Sequence, residues 1–450
     1  RRRLSAPVVL TNRPKRFTGE GGHRAQAPAA VIEQLAPLVD PLTGVVSDLE
    51  RVTDNAAALR VYTAGLNLAR PAIDVAGLRY ALRRHTGGKG LSDEQARASA
   101  LGEAVERYCG LFHGDEVSVH ASMMELGDAA IGPNESLLYS DAQLRRRSTE
   151  HRSRDFIPAR FDPTQPGDWT AVWSLTAGCH RYLPTGLLFY GYHTDMRSAA
   201  TIADSNGNAA GASLEDAVVQ GFLELVERDG AALWWYNRVR RAGIAVDPSH
   251  TELQEVVAAY HALQREVWLL DLSTDFGIPI IAAVSRRVVG PSEQILLGLG
   301  AHFDAAIAAG RALTEMNQML VASQVVMRDP DLDPVLARWL ADAKVGDHPY
   351  LWPNEGPTLP LGSGSVGVHD DLLDDIQLCR RLVERRGLEF LVLDQTRPDI
   401  AVPVVKVIVP GLRHFRPRFA PGRLYDVPVR QGWLQKPHNE QSLNPIPFFL

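Results

Sequence analysis

The chain has 450 residues, 45% of them apolar and 22% charged, with a formal net charge of −6. That balance excludes intrinsic disorder, and an acidic chain argues against a duplex nucleic-acid binder, which carries a basic face. The three cysteines (Cys109, Cys179, Cys379) show no disulfide-scaffold or zinc spacing, no apolar run approaches the roughly 18 residues of a membrane span, and the N-terminus is not a signal peptide, so a cytoplasmic protein is expected, with neither membrane nor nucleic acid as partner.

The chain starts Arg1-Arg2-Arg3 without an initiator Met, as a trimmed chain would. Residues 1–45 hold many Pro, Gly, Arg and Ala and little periodicity, which predicts an arm or linker against a partner. Residues 46–450 read as one large domain. Gly87-Gly88-Lys89-Gly90 reads alone as a flexible turn, or as a loop whose N–H groups and Lys89 approach an anion. It is not a P-loop, because Gly90 stands where Ser or Thr must follow the Lys. The spacing of Ala96, Ala100, Leu101 and Val105 predicts an amphipathic helix over 92–110, with Ser92 and Gln95 as a capping box. Asn206-Gly207 marks a turn ahead of a second helix over 213–238, opened by Ser213, with Ala217, Val218, Phe222, Leu225 and Val226 as its apolar positions.

The second half carries a weak internal repeat. Helix 251–264 precedes two apolar strands (267–273 and 277–285), and helix 371–386 precedes two more (388–396 and 401–409). In each unit the first strand ends near an Asp (Asp271, Asp394) and the second contains a Pro (Pro279, Pro403). Strands only a few residues apart predict hairpins, hence mixed or antiparallel sheets covered by helices, an α+β fold and not a doubly wound one. The Pro/Gly-rich stretch 353–365 reads as a surface loop.

Two segments carry chemistry: Glu103-Ala-Val-Glu106-Arg107 and Glu224-Leu-Val-Glu227-Arg228. Carboxylates at i and i+3 lie on one helix face, where like charges repel by a few tenths of a kcal/mol. One such pair is usually a solvated helix face. Two pairs, each following a Gly-containing segment and a Ser helix start, can converge as oxygen ligands for a hard cation such as Mg²⁺ with nucleotide phosphates. A di-iron bundle is rejected, because it needs Glu-x-x-His on two helices. Arg311 opens RALTEMNQ (311–318), as a surface partner of Glu315 at i+4 or as a phosphate contact. Cys109 and Trp234-Trp235-Tyr236 read as core packing.

Taken together, these motifs resemble the YcaO family. Lys89-Gly90-x-Ser92, Gln95-Ala96, Ser99-Ala100 and Glu103-x-x-Glu106-Arg107 are similar to its first signature. Asn206-Gly207, Gly211, Leu214-Glu215-x-Ala217, Gln220-Gly221 and Glu224-Leu225-x-Glu227-Arg228-Asp229 are similar to its second, and RALTEMNQ to its third. The likeness runs from about residue 36 to the C-terminus and implies a YcaO-like α+β fold and an ATP-dependent enzyme that activates peptide backbone amides. It implies Mg²⁺ ligation by Glu103, Glu106, Glu224 and Glu227, and a nucleotide lined by Lys89, Ser92, Ser99, Asn206, Glu215, Gln220, Arg228 and Arg311.

VVKVIVPGLRH (404–414), GRLYDVP (422–428) and the ending Asn444-Pro445-Ile446-Pro447-Phe448-Phe449-Leu450 resemble the azoline-forming cyclodehydratases of ribosomal-peptide natural-product biosynthesis. In that group a Pro-rich tail reaches the active site, which assigns Pro445, Pro447 and the carboxylate of Leu450 a catalytic part. Phe stands here in place of the third proline. The implied reaction is attack of a Cys, Ser or Thr side chain on the preceding amide carbonyl, phosphorylation of the amide oxygen by ATP, and loss of phosphate to a thiazoline or oxazoline. Thioamide or amidine formation and a non-catalytic scaffold subunit are the alternatives. Too little chain remains for a leader-binding domain, so the expected partners are a precursor peptide and a separate protein resembling ubiquitin-activating enzymes. Oligomeric state is left open, a homodimer included.

Overall fold

The computed structural model describes residues 7–19, 22–52, 58–67, 85–147, 157–193, 198–362, 364 and 366–449. Strands β1 (Val46–Arg51), β2 (Val61–Leu66) and β3 (His85–Lys89) form an antiparallel sheet in that order. A second sheet uses β4 (Val119–Ala121), β5 (Gly167–Ser174), β6 (Cys179–Pro184) and β7 (Asn208–Ala210). The third holds β8 (Gly243–Ala245), β9 (Arg265–Asp271), β10 (Ile280–Arg287), β11 (Leu296–Ala301) and β12 (Leu359–Pro360), ordered β11-β10-β9-β8-β12. Finally β13 (Leu391–Asp394) and β14 (Val404–Ile408) return to the second sheet, ordered β4-β5-β13-β14-β7 with β6 also paired to β5.

The helices of eight or more residues are α1 (Pro28–Leu35), α2 (Asp93–Cys109), α3 (Leu214–Asn237), α4 (Thr251–Ala262), α5 (Ala305–Arg328), α6 (Pro334–Asp342), α7 (Leu372–Glu384) and α8 (Arg423–Arg430). The α+β class expected from the sequence is the one observed. Both expected hairpins form: Ala283 pairs with Leu269 across β9 and β10, and Val392 with Val407 across β13 and β14. The two halves of the repeat therefore each supply an antiparallel pair, but to different sheets. The stretch 353–365 is not wholly loop, since β12 adds a short parallel pairing to β8 at Leu359 and Ile244.

Three helices matter for function, and each packs mainly on a different sheet: α2 on β2 and β3, α3 on β7 and β14, α5 on β10 and β11. Local chemistry starts each one. Ser92 Oγ accepts from Gln95 N–H at 3.2 Å, Ser213 Oγ from Asp216 N–H at 3.1 Å, and Asp304 Oδ1 from Ala306 N–H at 2.7 Å, the side-chain caps that satisfy otherwise orphaned N–H groups. The Gln95 side chain reaches one residue further back than a capping box requires, to Leu91 N–H.

Helix α3 is buried on nearly every side, with Val218, Phe222, Val226, Trp234 and Trp235 at 0% exposure. A helix buried on nearly every side is central, and its charged residues Glu224, Glu227 and Arg228 face a cavity instead of the surface. Gly87-Gly88-Lys89 is strand, not turn. A Cβ on Gly88 would stand 2.1 Å from Ala96 O and 2.3 Å from Ala100 N, so glycine here lets β3 lie directly on α2. No helix among the described residues is long and apolar enough to cross a membrane.

Candidate active site

With 3.6 residues per turn, Glu103 and Glu106 share a face of α2, and Glu224 and Glu227 share a face of α3. Both faces turn into one cavity of about 500 Å³ between the three sheet–helix units. Lys89, Ser99, Gln220, Arg228 and Arg311 line the same cavity, as does Glu315 of α5. Nine of the residues singled out from sequence thus meet, although β3, α2, α3 and α5 span more than 200 positions of chain.

Ser92, Asn206 and Glu215 are off the cavity wall. The Ser92 hydroxyl is committed to capping α2. Ser205 and Asn208 take the wall positions on either side of Asn206, whose carbonyl accepts from Lys406 Nζ at 3.2 Å. Glu215 is only 2% exposed and accepts from Thr11 N–H at 2.8 Å, with Arg13 at 3.5 Å. It fastens the N-terminal segment instead of facing the cavity. In each case the signature position holds a helix start, loop or segment that itself contributes to the cavity wall.

The described tail residues do not line the wall either. Pro445 is exposed, Pro447 is half-buried, and neither lines the cavity, while Leu450 lies outside the described residues. Trp235 Nε1 donates to Ile446 O at 2.7 Å, which places the tail two turns along α3 from Arg228.

Sequence reasoning missed the N-terminal segment as a part of the site. Its described residues fold back on the same chain: Lys15 pairs with Asp375 at 2.5 Å, both side chains 1% exposed, and Arg24 with Asp216 at 3.0 Å. Phe17, Gly22, Arg24 and Gln26 form one cavity wall. Isolated basic residues in a Pro/Gly-rich segment have no periodicity to announce them. Glu315 was seen only as a neighbour of Arg311. In the fold it pairs with Lys89 at 2.7 Å and accepts from Leu299 N–H at 2.6 Å, while Arg311 donates to Gln220 Oε1 at 2.8 Å and Ala301 O at 3.0 Å.

Burial governs the acids, opposed by the neighbouring cations and reinforced by the other carboxylates. Burial raises the Glu106 carboxyl well above its usual range, with Glu224 and Glu103 adding to the rise. Glu224 is raised by burial, and Glu227 is pushed up to about 7 by burial and the nearby Glu315. Burial and Arg24 bring Arg311 down to about 9. Cys109, a core residue at 2% exposure, has its thiol raised to about 12 by burial and is no nucleophile. Behind the acids, Lys406 is 4% exposed and donates to Asp204 O at 2.7 Å and Asn208 Oδ1 at 2.8 Å, holding the turn into α3.

Carboxyls raised by burial gain from any cation that joins them. Among the described residues no three acidic or imidazole groups close around one point as a finished ion cage. Mg²⁺ does not need one, since it takes one or two carboxylates and completes its shell with phosphate and water oxygens. Arg228 Nε is buried with no hydrogen-bond partner among the described residues, so a donor remains for an anion. The donor set fits a magnesium–nucleotide pair. Hard oxygen groups opposed by Lys89, Arg228 and Arg311 are a donor set suited to a magnesium–nucleotide pair without a P-loop.

Comparison with known proteins names the family. The model of the YcaO cyclodehydratases, described as ATP- and Mg²⁺-binding, matches residues 87–413, and the chain belongs to this family. A heterocyclase solved in complex with substrate and cofactor superposes with a TM-score of 0.90 at 44% identity, over 98% of this chain and 60% of that one. The heterocyclase TruD gives 0.76 and 38%, over 99% and 56%. The YcaO protein of Methanopyrus kandleri, solved with AMPPCP and Mg²⁺, shares the fold at a TM-score of 0.64 and 23% identity, over 90% and 96%. The chain thus spans somewhat over half the length of the two heterocyclases.

Proposed function

We propose that this chain carries out the ATP- and Mg²⁺-dependent cyclodehydration of Cys, Ser or Thr residues in a ribosomal precursor peptide to thiazolines or oxazolines. The observation that carries this reading is the convergence of both Glu-x-x-Glu pairs with Lys89, Arg228 and Arg311 on one cavity. The 44% identity to a heterocyclase crystallised with substrate and cofactor supports it over the same 98% of the chain.

When bound, Mg–ATP supplies the electrophilic phosphoryl group and the cation charge that steadies its oxygens. The chain's own residues do the rest. Glu103, Glu106, Glu224 and Glu227 hold the cations. Arg228 and Arg311 offer planar donor forks for phosphate oxygens, and Lys89 a point charge that Glu315 aims into the cavity. Such a reaction depends on positioning and charge stabilisation, which suits a site assembled on the faces of three packed helices. Leader recognition is assigned to a separate partner protein resembling ubiquitin-activating enzymes, and the catalytic part of Pro445, Pro447 and Leu450 remains part of the proposal.

The test is incubation with the cognate precursor peptide, the leader-binding partner and ATP–Mg²⁺, read by mass. Loss of one water per modified residue is expected, and Glu224→Gln abolishes both that loss and ATP turnover. Exchange of oxygen for sulfur would identify thioamidation instead. No mass change and no ATP consumption in the complete mixture would leave the chain a scaffold.

A further inference from the structure

The guanidinium of Arg228 lies over the Phe415 ring, 4.0 Å from its centroid, and is ion-paired to Glu224 at 3.2 Å. Phe415 is 5% exposed and is itself held from behind. Its carbonyl accepts from Tyr236 Oη at 2.6 Å, and its ring packs against Phe448 with centroids 5.3 Å apart. Phe448 N–H donates back to Tyr236 Oη at 3.4 Å. Phe448 meets Trp235 edge-on at 4.9 Å, and Phe449 meets Trp339 at 4.9 Å. Asn444 closes the arrangement, with Nδ2 donating to Trp235 O at 3.2 Å and to Tyr350 Oη at 3.0 Å. A path of packed rings and hydrogen bonds therefore joins Phe448 and Phe449 to an arginine on the cavity wall.

We infer that Phe415, braced by Phe448, is a positioning residue for Arg228, so that Phe448 governs nucleotide binding from behind α3 by way of Phe415. The inference rests on the functional reading above, in which Arg228 faces the phosphates. An arginine side chain has many rotamers, and the ion pair to Glu224 alone would draw it back along its own helix. The ring face fixes the plane of the guanidinium, because the quadrupole of an aromatic ring attracts a cation lying over it, most strongly where water is excluded. A planar fork held in one plane loses less freedom when it grips a phosphate. Phe448 and Phe449 stack at 5.9 Å with planes 15° apart and fill the space a smaller residue would leave open, so the brace is aromatic throughout.

The experiment measures equilibrium binding of AMPPCP with Mg²⁺ to the full chain. Phe415→Leu keeps the apolar volume but has no ring face, and Phe415→Tyr keeps the face. Phe415→Leu and Phe448→Ala are expected to raise Kd by about 5- to 30-fold, the range a cation–π contact is worth in a desolvated site. Phe415→Tyr is expected to stay within about twofold. In an Arg228→Ala background Phe448→Ala should add nothing, a coupling that a merely structural role would not produce. Melting curves accompany each variant, and should Phe415→Leu melt early, the Phe448–Arg228 cycle carries the test. Unchanged binding by Phe415→Leu, or an equal effect of Phe448→Ala in both backgrounds, overturns the inference while wild-type activity stands. A wild type that binds no nucleotide overturns the functional reading as well.

Discussion

Replacing Glu227 by Gln isolates the consequence of crowding acids in a buried site. The folded protein holds this carboxyl at about 7, against 4.5 for an unperturbed one. A carboxyl raised on folding costs nothing while protonated in both states, below about pH 4.5. As the pH rises to 7 the unfolded chain ionises freely and the folded one does so at a penalty, so stability is lost over that window and stays lost above it. At 1.36 kcal/mol per pKa unit the difference is about 3 kcal/mol, reduced to about 2 kcal/mol by the opening of Glu227 to the cavity and its sharing of the shift with Glu315 and Glu224. Gln fills the same space and cannot ionise. In EDTA, Glu227→Gln should match the wild type at pH 4.5 and exceed it by about 2 kcal/mol at pH 8, measured by urea unfolding. With Mg–nucleotide at 100 times its Kd the order should reverse, because binding stabilises the wild type by about 2.7 kcal/mol and the variant lacks a ligand. A variant less stable than wild type at pH 8 in EDTA, or a difference independent of pH, would refute the account of Glu227 as a strained acid awaiting a cation.

Two further substitutions test the frame around the site. Gly88→Ala puts a methyl group against the α2 backbone at Ala96 and Ala100, so α2 must shift with Glu103 and Glu106. A cost of about 1–3 kcal/mol and loss of Mg–nucleotide binding are expected, and unchanged binding would show that strand and helix need not be in contact. Lys15→Met leaves the buried Asp375 carboxylate, among the described residues, with His369 at 2.9 Å as its remaining ionic partner. Breaking such a buried pair costs about 3–5 kcal/mol, so the N-terminal segment should loosen and trypsin should cut after Arg16 and Arg24 faster than in wild type. An unchanged cleavage rate would mean that the other contacts of the segment suffice to hold it.

The sequence by itself determined what depends on local period and local chemistry. The helical spacing of small and apolar residues placed α2 and α3 to within a residue or two, Ser92 and Ser213 marked their starts, and the i, i+3 spacing aligned each Glu pair on one face. Closely spaced apolar strands gave away both hairpins. Only the tertiary structure decided which residues meet across distance. Lys89 pairs with Glu315 although 226 positions separate them, and Arg24 reaches the cavity from a segment with no periodicity. It also decided which signature residues face inward. Glu215 and Glu224 lie on one helix, but its first turn and its middle pack against different parts of the chain, so the first holds Thr11 and the second faces the cavity. Periodicity is a property of a segment, whereas burial, carboxylate repulsion and the ring beneath Arg228 are properties of what other segments bring to it.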